Sequence, residues 1–322
     1  MTLLETYFEL PHTVGVAFTT LGTDFTCDVD RMPVTIRFPR AEHTRNWPLL
    51  VPPAFVNVFS DDGLSKLLDK VEWGSESGTS GDDPATKHAW VSAVGLATEA
   101  ADGQEQEVAD RLIDAMDEWW PNVCDWIEVL TRQVHSGPSK TLILGPHHPV
   151  WARTDGAVER LYRQGPASIT VRRNNGPDAP TALGAHEFEA ALRNAAVGPP
   201  PLEWLLVRDA RLAHENASRR VAVIDAGTAT ELAISKLLKD QVAGLPDVVV
   251  EQLLAGHRML GASAKLLKKL GGTSPENTTK DLIEPRNKAA HQGWVPSAKE
   301  SYTALMVAVE IVDAAYPLSS FV

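Results

Sequence analysis

The chain has 322 residues, of which 43% are apolar and 22% are charged. This length exceeds what one hydrophobic core usually serves, so we expect two domains, and the composition excludes a chain that is disordered along most of its length. The net charge of −12 argues against a general nucleic-acid-binding protein, because Lys and Arg drive phosphate binding.

The charge is unevenly distributed along the chain. Between Leu202 and Val322 there are 14 basic and 14 acidic residues, so this part is neutral. The whole acidic excess therefore lies in the first 201 residues. The C-terminal part is free to carry a local basic patch.

Cysteine usage and hydropathy predict a protein of the cytoplasm. Cys27 and Cys124 are too few for a disulfide framework or a zinc site. The first residues carry Glu5 and Glu9 within an apolar stretch and no basic leader, so we expect no signal peptide. The segment "YTALMVAVEIVDAAY" is too short and too acidic to span a bilayer.

The first part of the chain mixes strand-like and helix-like segments. Strands are predicted in "YFELPHTVGVAFTTLG", "FTCDVDRMPVTIRFP", "KTLILG" and "ASITVRR", with a loop at "SESGTSGDDPATKHA". A helix is predicted from Gln104 to Gln133, with a break near Pro121, and a short one at "HEFEAALRNAA". Residues 1–196 therefore form an α+β domain of unknown role, with sensing or regulation as candidates.

Two features of this domain invite a functional interpretation. Trp119, Trp120 and Trp126 lie on the long helix, where core packing is a better explanation than a stacking platform. His147 and His148 are adjacent and have no obvious third ligand, so a turn explains them better than a metal site. We expect neither a metal nor another cofactor.

The segment Val197–Pro201, "VGPPP", is the best domain boundary, because consecutive prolines continue neither a helix nor a central strand. Beyond it we predict five amphipathic helices that form a bundle over residues 202–322. Their sequences are "LEWLLVRDARLAHENA", "RRVAVIDAGTATELAISKLLKDQ" capped by Ser218, "PDVVVEQLLAGHRMLGASAKLLKKL", the short "EPRNKAAHQ", and "AKESYTALMVAVEIVDAAY" with a capping box of Ser297 and Glu300.

The short helix carries the chemistry. Asn287 and His291 are i,i+4 neighbours on one face, whereas Arg286 is displaced by about 140° from His291 but is long enough to reach the same cleft. Together they offer a group that titrates near neutrality, a fixed cation with forked donors and an orienting amide. An arginine followed by a histidine after four to six intervening residues occurs three times in the chain, so this spacing alone is not informative. An asparagine directly after the arginine makes the pattern specific.

Pro285 leaves two arrangements open. The helix begins near Thr278 and is kinked by the proline, or it begins at Pro285 and places Arg286 in the first turn, where the macrodipole disfavours a cation. The ordinary explanation of the motif is a solvated helix surface with a histidine near the C-terminus.

"RNKAAH", late in a terminal helical bundle, resembles the RNxxxH motif of the HEPN superfamily (higher eukaryotes and prokaryotes nucleotide-binding domains). The resemblance covers about Pro201–Val322 and implies a bundle that pairs with a second copy to bring two motifs into one cleft. Many members with this motif are metal-independent RNA endonucleases, often toxins or antiviral effectors; others only bind or scaffold. It implies proton transfer by His291, charge stabilisation by Arg286 and orientation by Asn287.

Five further residues are candidates for the same site. Glu231 shares an apolar stripe with its helix neighbours, and it either pairs with Arg286 or acts in the chemistry. The possible phosphate contacts are Lys265, Lys268, Lys269 and Lys288, for which a solvated helix face is the ordinary explanation.

The sequence therefore predicts an endoribonuclease that leaves a cyclic phosphate, acts as a homodimer on RNA and does not contact membranes. Two alternatives stay open. The helical domain is a non-catalytic module for nucleotide or RNA binding or for dimerisation, or the protein regulates others through its N-terminal domain.

Overall fold

The computed structural model describes residues 1–42, 49–55, 71–77, 88–133, 140–143, 148–154, 157–163, 168–171, 181–257, 259–272 and 274–322. The chain divides into two compact units, Met1–Pro199 and Pro200–Val322. We call them the sheet unit and the helical unit. The N-terminal region is built on an antiparallel sheet and the C-terminal part is mostly helical, so the α+β and helical classes predicted for the two parts are confirmed.

The sheet unit contains eleven strands among its described residues. They are β1 (Thr2–Ala17), β2 (Asp24–Val29), β3 (Met32–Arg37), β4 (Arg40–Glu42), β5 (Leu49–Val51), β6 (Gly74–Ser77), β7 (His88–Ala100), β8 (Lys140–Ile143), β9 (His148–Thr154), β10 (Ala157–Arg163) and β11 (Ser168–Val171). The described residues of this unit also form two α-helices, α1 (Glu105–Thr131) and α2 (Ala185–Ala195).

The sheet is organised around the long antiparallel pair β1 and β7. The strand order is β10-β9-β1-β7-β6-β5-β4, and β3 of the β2–β3 hairpin also pairs with β7. Strands β8 and β11 form a separate two-stranded sheet. A register shift between Glu9 and Val14 interrupts the β1–β7 pairing, which is where Pro11 cannot donate to the ladder.

Helix α1 packs on this sheet and on α2. Trp120 and Trp126 are buried, so the core interpretation of these two residues is confirmed. The predicted break near Pro121 is wrong, because α1 continues through the proline. The core anchors the helix on both sides of it, since Trp120 and Val123 are buried while Pro121 is exposed.

Strand β7 was not predicted, and its first residues lie in the segment that the sequence assigned to a loop. Residues 78–87 of that segment lie outside the described part of the chain, and Gly74–Ser77 form strand β6. The helix predicted at "HEFEAALRNAA" is confirmed as α2.

The helical unit contains six α-helices in its described part, where five were predicted. They are α3 (Leu202–Glu215), α4 (Arg219–Gln241), α5 (Asp247–Ala255), α6 (Leu260–Lys269), α7 (Glu284–Gln292) and α8 (Ala298–Ala315). Helix α4 is the centre of the unit, because α3, α6, α7 and α8 all pack against it.

The additional helix arises because the predicted third helix is two helices. Gly256, a poor helix former, ends α5, and the side chain of His257 turns back to make a 2.8 Å hydrogen bond with the carbonyl of Leu253. Helix α6 then starts after Met259.

The two predicted caps have different outcomes. The capping box of Ser297 and Glu300 is confirmed at the start of α8. Ser218 does precede α4, but its hydroxyl makes no capping hydrogen bond.

Candidate functional site

The motif lies on α7, which continues directly from a π-helical turn at Thr279–Ile283. In this turn the N–H of Glu284 bonds the carbonyl of Thr279, five residues back. The wider turn suits Pro285, which has no N–H to donate and whose ring would meet the carbonyl four residues before it. The arrangement in which the helix begins at Pro285 is therefore wrong, and Arg286 lies within a helical segment rather than at its N-terminus.

Arg286 extends from α7 over the surface of α4. A Cβ added at Gly227 would lie 2.5 Å from Cγ of Arg286, so the arginine stem fills the space that the glycine leaves. Beyond the stem, Nη2 of Arg286 lies 3.6 Å from Oε2 of Glu231, one turn further along α4. The first of the two roles considered for Glu231, an ion pair with Arg286, is present in the structure.

The guanidinium is also held from its own helix, because Nη1 of Arg286 donates to Oδ1 of Asn287 over 3.3 Å. Its Nε is buried and has no hydrogen-bond partner among the described residues. The Arg286 side chain is 25% exposed and that of Glu231 is 38% exposed. The ion pair therefore lies at the surface, where a solute can reach the guanidinium.

His291 lies one turn after Asn287, and both are exposed. Their i,i+4 spacing within α7 puts them on one face, as predicted. Within the described ranges no hydrogen bond or ion pair involves the ring of His291. The structure thus brings Arg286, Asn287 and Glu231 into contact, and it places the exposed His291 one helical turn after Asn287.

The last turn of α7 has an unusual pattern of hydrogen bonds. The carbonyl of Lys288 accepts from the N–H groups of Gly293 and Trp294, and Gly293 adopts the left-handed conformation with φ of 66°. The carbonyl of Ala289 instead accepts a 2.8 Å hydrogen bond from Nε of Arg220. Arg220 of α4 therefore caps the helix end that carries His291.

The sequence analysis did not identify Arg220. The available signal was its position seven residues before Gly227, which places both on one face of α4.

The lysines proposed as phosphate contacts fall into two groups. The ammonium of Lys288 lies 5.8 Å from the centre of the Trp294 ring. Lys265, Lys268 and Lys269 are exposed on α6. No hydrogen bond or ion pair in the described part of the chain joins any of the four to Arg286 or His291, so they form the surroundings of the motif and not its contacts.

A second histidine of the helical unit is partly buried. Nδ1 of His214 lies 3.0 Å from the hydroxyl of Ser301, which is fully buried. Burial lowers the pKa of His214, and the positive charge of Arg219 lowers it further. This ring belongs to the packing between α3 and α8.

The described residues contain no group of three or more His, Cys, Asp or Glu side chains that could hold a metal ion. His147 and the side chain of His148 lie outside the described part of the chain. Cys27 and Cys124 are free thiols, and burial raises the pKa of Cys27 to about 12. No helix in the described ranges is long and apolar enough to cross a membrane.

The chain matches no known family model, no curated protein and no solved structure. The interpretation of the site therefore depends on its residues and their geometry.

Proposed function

We propose that the helical unit is a metal-independent endoribonuclease of HEPN type, with Arg286, Asn287 and His291 as its catalytic residues. The observation that carries the proposal is the position of Arg286. Gly227 makes room for its stem, Glu231 and Asn287 hold its guanidinium, and Asn287 shares a helix face with the exposed His291 one turn later. A fixed cation and a titratable ring on one short helix are groups that can serve phosphodiester chemistry.

The proposed reaction is an internal transesterification of RNA. The 2′-oxygen forms a bond to the neighbouring phosphorus, and the bond from phosphorus to the 5′-oxygen breaks. The imidazole of His291 takes part in moving the proton from the 2′-hydroxyl to the leaving 5′-oxygen, while Arg286 stabilises the charge on the pentavalent phosphorus. The products are a 2′,3′-cyclic phosphate and a 5′-hydroxyl, so no water is consumed.

The proposal includes a homodimer through the helical unit, because the resemblance to HEPN proteins implies two motifs in one cleft. In such a dimer, each subunit supplies one Arg286 and one His291, so that one imidazole can accept the proton and the other can donate it. It also assigns the acidic sheet unit to sensing or restraint, as in a toxin or an antiviral defence effector located in the cytoplasm.

A non-catalytic module is the second candidate, and one observation favours it. Glu231 lies within 3.6 Å of Arg286 and offsets its charge, as expected for an ion pair whose role is to join α4 to α7. In this case the helical unit binds nucleotide or RNA, or makes a dimer, without turnover.

The test is cleavage of labelled RNAs by the full-length chain in EDTA, beside H291A and R286A. The matched control is Lys299→Ala, which removes another exposed cation of the helical unit. Cleavage by the wild type and by K299A, lost in H291A and R286A, supports the ribonuclease. Products that end in a cyclic phosphate identify the transesterification.

Retention of RNA or nucleotide by a folded dimer without any cleavage, across several RNAs, would support the second candidate. Toxicity of the expressed protein that H291A relieves would support the first. Cleavage that H291A and R286A retain at the wild-type rate would refute the assignment of these residues.

A further inference from the structure

A tryptophan lies at the end of the helix that carries the motif. Trp294 follows Gly293, whose left-handed backbone reverses the direction of the chain. The N–H of Trp294 donates a hydrogen bond to the carbonyl of Lys288. The indole thereby comes to lie beside the side chain of Lys288, with the ammonium 5.8 Å from the ring centre. This contact is a cation–π pair.

Lys288 lies over one face of the Trp294 ring. Because Lys288 is an exposed residue and Trp294 is partly buried, we infer that the covered face is the one that a ligand would reach. A lysine has a flexible stem and a strongly hydrated head, and it leaves such a contact at small cost. The ring can therefore exchange Lys288 for another partner with a π face.

This ring is next to the proposed chemistry. Lys288 and His291 are i,i+3 neighbours on α7. The helix ends at Gln292, and Trp294 lies two residues beyond that end. Arg220 of α4 adds a second cation at this end, because it donates to the carbonyl of Ala289. Two cations, one aromatic face and the titratable ring thus lie at the C-terminal end of α7.

We propose that Trp294 is a base-stacking platform and that Lys288 is a phosphate contact, so that the site selects single-stranded RNA. This inference rests on the proposed function. A nucleobase next to the scissile phosphate stacks on the indole, and Lys288 moves from the ring to the adjoining phosphate. Stacking on an aromatic side chain needs an unpaired base, because the faces of bases inside a duplex are already covered.

The same position has a structural explanation, since an apolar residue just after a helix often packs back on the last turn. Leucine would keep such packing and lose the aromatic face, whereas phenylalanine would keep both. Comparing Trp294→Leu with Trp294→Phe therefore distinguishes a role in base stacking from a role in packing against the last turn of the helix.

The experiment measures binding in the H291A background, where RNA stays intact. Fluorescence anisotropy follows a labelled single-stranded RNA and a duplex of the same composition. We expect W294L to weaken binding of the single strand about tenfold or more relative to H291A alone, and W294F to bind it about as tightly as H291A alone. Neither substitution should change binding of the duplex. The platform would be overturned if H291A and both double variants bind the single strand equally, or if W294L weakens binding of the single strand and of the duplex to the same extent.

Lys288→Gln gives a second measurement that leaves the indole in place. We expect the slope of log K against log salt for the single strand to become shallower by about 0.7, the value for one phosphate contact. An unchanged slope would refute the role of Lys288.

Wild-type cleavage, measured in parallel, keeps the two proposals distinct. Cleavage together with unaltered binding in W294L refutes only the platform. Selective binding of the single strand through Trp294 without cleavage refutes only the ribonuclease, and a chain that neither binds nor cleaves RNA refutes both.

Discussion

Each unit holds an arginine–glutamate pair beside a glycine, and the surroundings of the two pairs differ. In the sheet unit, Arg37 of β3 bonds Glu5 of β1 over 2.5 Å and also donates to the carbonyl of Ala54. Glu5 is fully buried and Arg37 is 14% exposed. Gly95 of β7 leaves room for the Arg37 stem and for the segment that contains Pro53.

In the helical unit, Arg286 and Glu231 are farther apart, at 3.6 Å, and both are partly exposed. A buried pair must satisfy its charges within the protein, and the additional bond of Arg37 to Ala54 is of that kind. A pair at the surface has no such need, so its arginine can change partners when an anion arrives. The burial of its pair suits Arg37 to a role in stability, and the exposure of its pair is compatible with the role that we propose for Arg286.

The largest expected effect follows from removing one member of the buried pair. Arg37→Met removes the cation that pairs with the buried carboxylate of Glu5, which we expect to lower the free energy of unfolding by about 3–5 kcal/mol. Arg286→Met, the matched change at the exposed pair, should cost less than about 1 kcal/mol. Urea-induced unfolding of the two full-length variants measures both, and equal losses would remove the distinction between the pairs.

The glycine under Arg286 is the next place to test. In Gly227→Ala the new Cβ would lie 2.5 Å from Cγ of Arg286 and displace the guanidinium. A misplacement of about 1 Å can lower a rate by about 10²-fold, so RNA cleavage should fall on that order while the helix gains propensity. Gly244→Ala is the control, because no atom lies within 4 Å of the Cβ it would add. Wild-type cleavage by G227A would show that the position of Arg286 does not matter.

Glu231→Gln should have a smaller effect. It keeps the shape of the side chain and removes the charge that holds Arg286, so we expect severalfold slower cleavage and a stability change of less than about 1 kcal/mol. A double-mutant cycle with R286M, measured as the free energy of unfolding, shows whether Glu231 acts through the arginine, since its effect on stability should then vanish in the R286M background. An undiminished effect there would give Glu231 a separate role.

The smallest expected effect concerns the partly buried histidine. The folded-state pKa of His214 is lowered, chiefly by burial, so the unfolded chain binds more protons in mildly acidic solution. The free energy of unfolding should therefore fall as the pH drops from about 7 through the ordinary histidine pKa of about 6.5, and level off below the folded-state pKa. Urea-induced unfolding across this range should show a weaker decline in H214N, and an equal decline in H214N and the wild type would contradict this assignment.

The sequence was informative where local chemistry decides the structure. The capping box at Ser297, the strand character predicted between Phe25 and Pro39 and the shared face of Asn287 and His291 depend on residues close together in the chain. Strand β7 was missed because it is buried on both faces and rich in small residues, so it lacks the alternation that indicates a strand.

The rest of the site depends on contacts between distant segments. Arg286 crosses Gly227, and Arg220 reaches the carbonyl of Ala289, because of how α7 packs on α4. Spacing along α4 puts Arg220 and Gly227 on one face, but it does not tell which helix lies against that face. The π-helical turn was equally hidden, because Pro285 is compatible with a break, a kink or a widened turn.

That turn also sets the direction of the motif. A turn closed over five residues holds one residue more than an ordinary turn, and each residue rotates a helix by about 100°. Without the additional residue, the sequence of α7 would be the same, but Arg286 would point about a quarter of a circle away from Gly227. Chains that share the six-residue motif can therefore differ in whether it faces α4, depending on the length of the segment that precedes it.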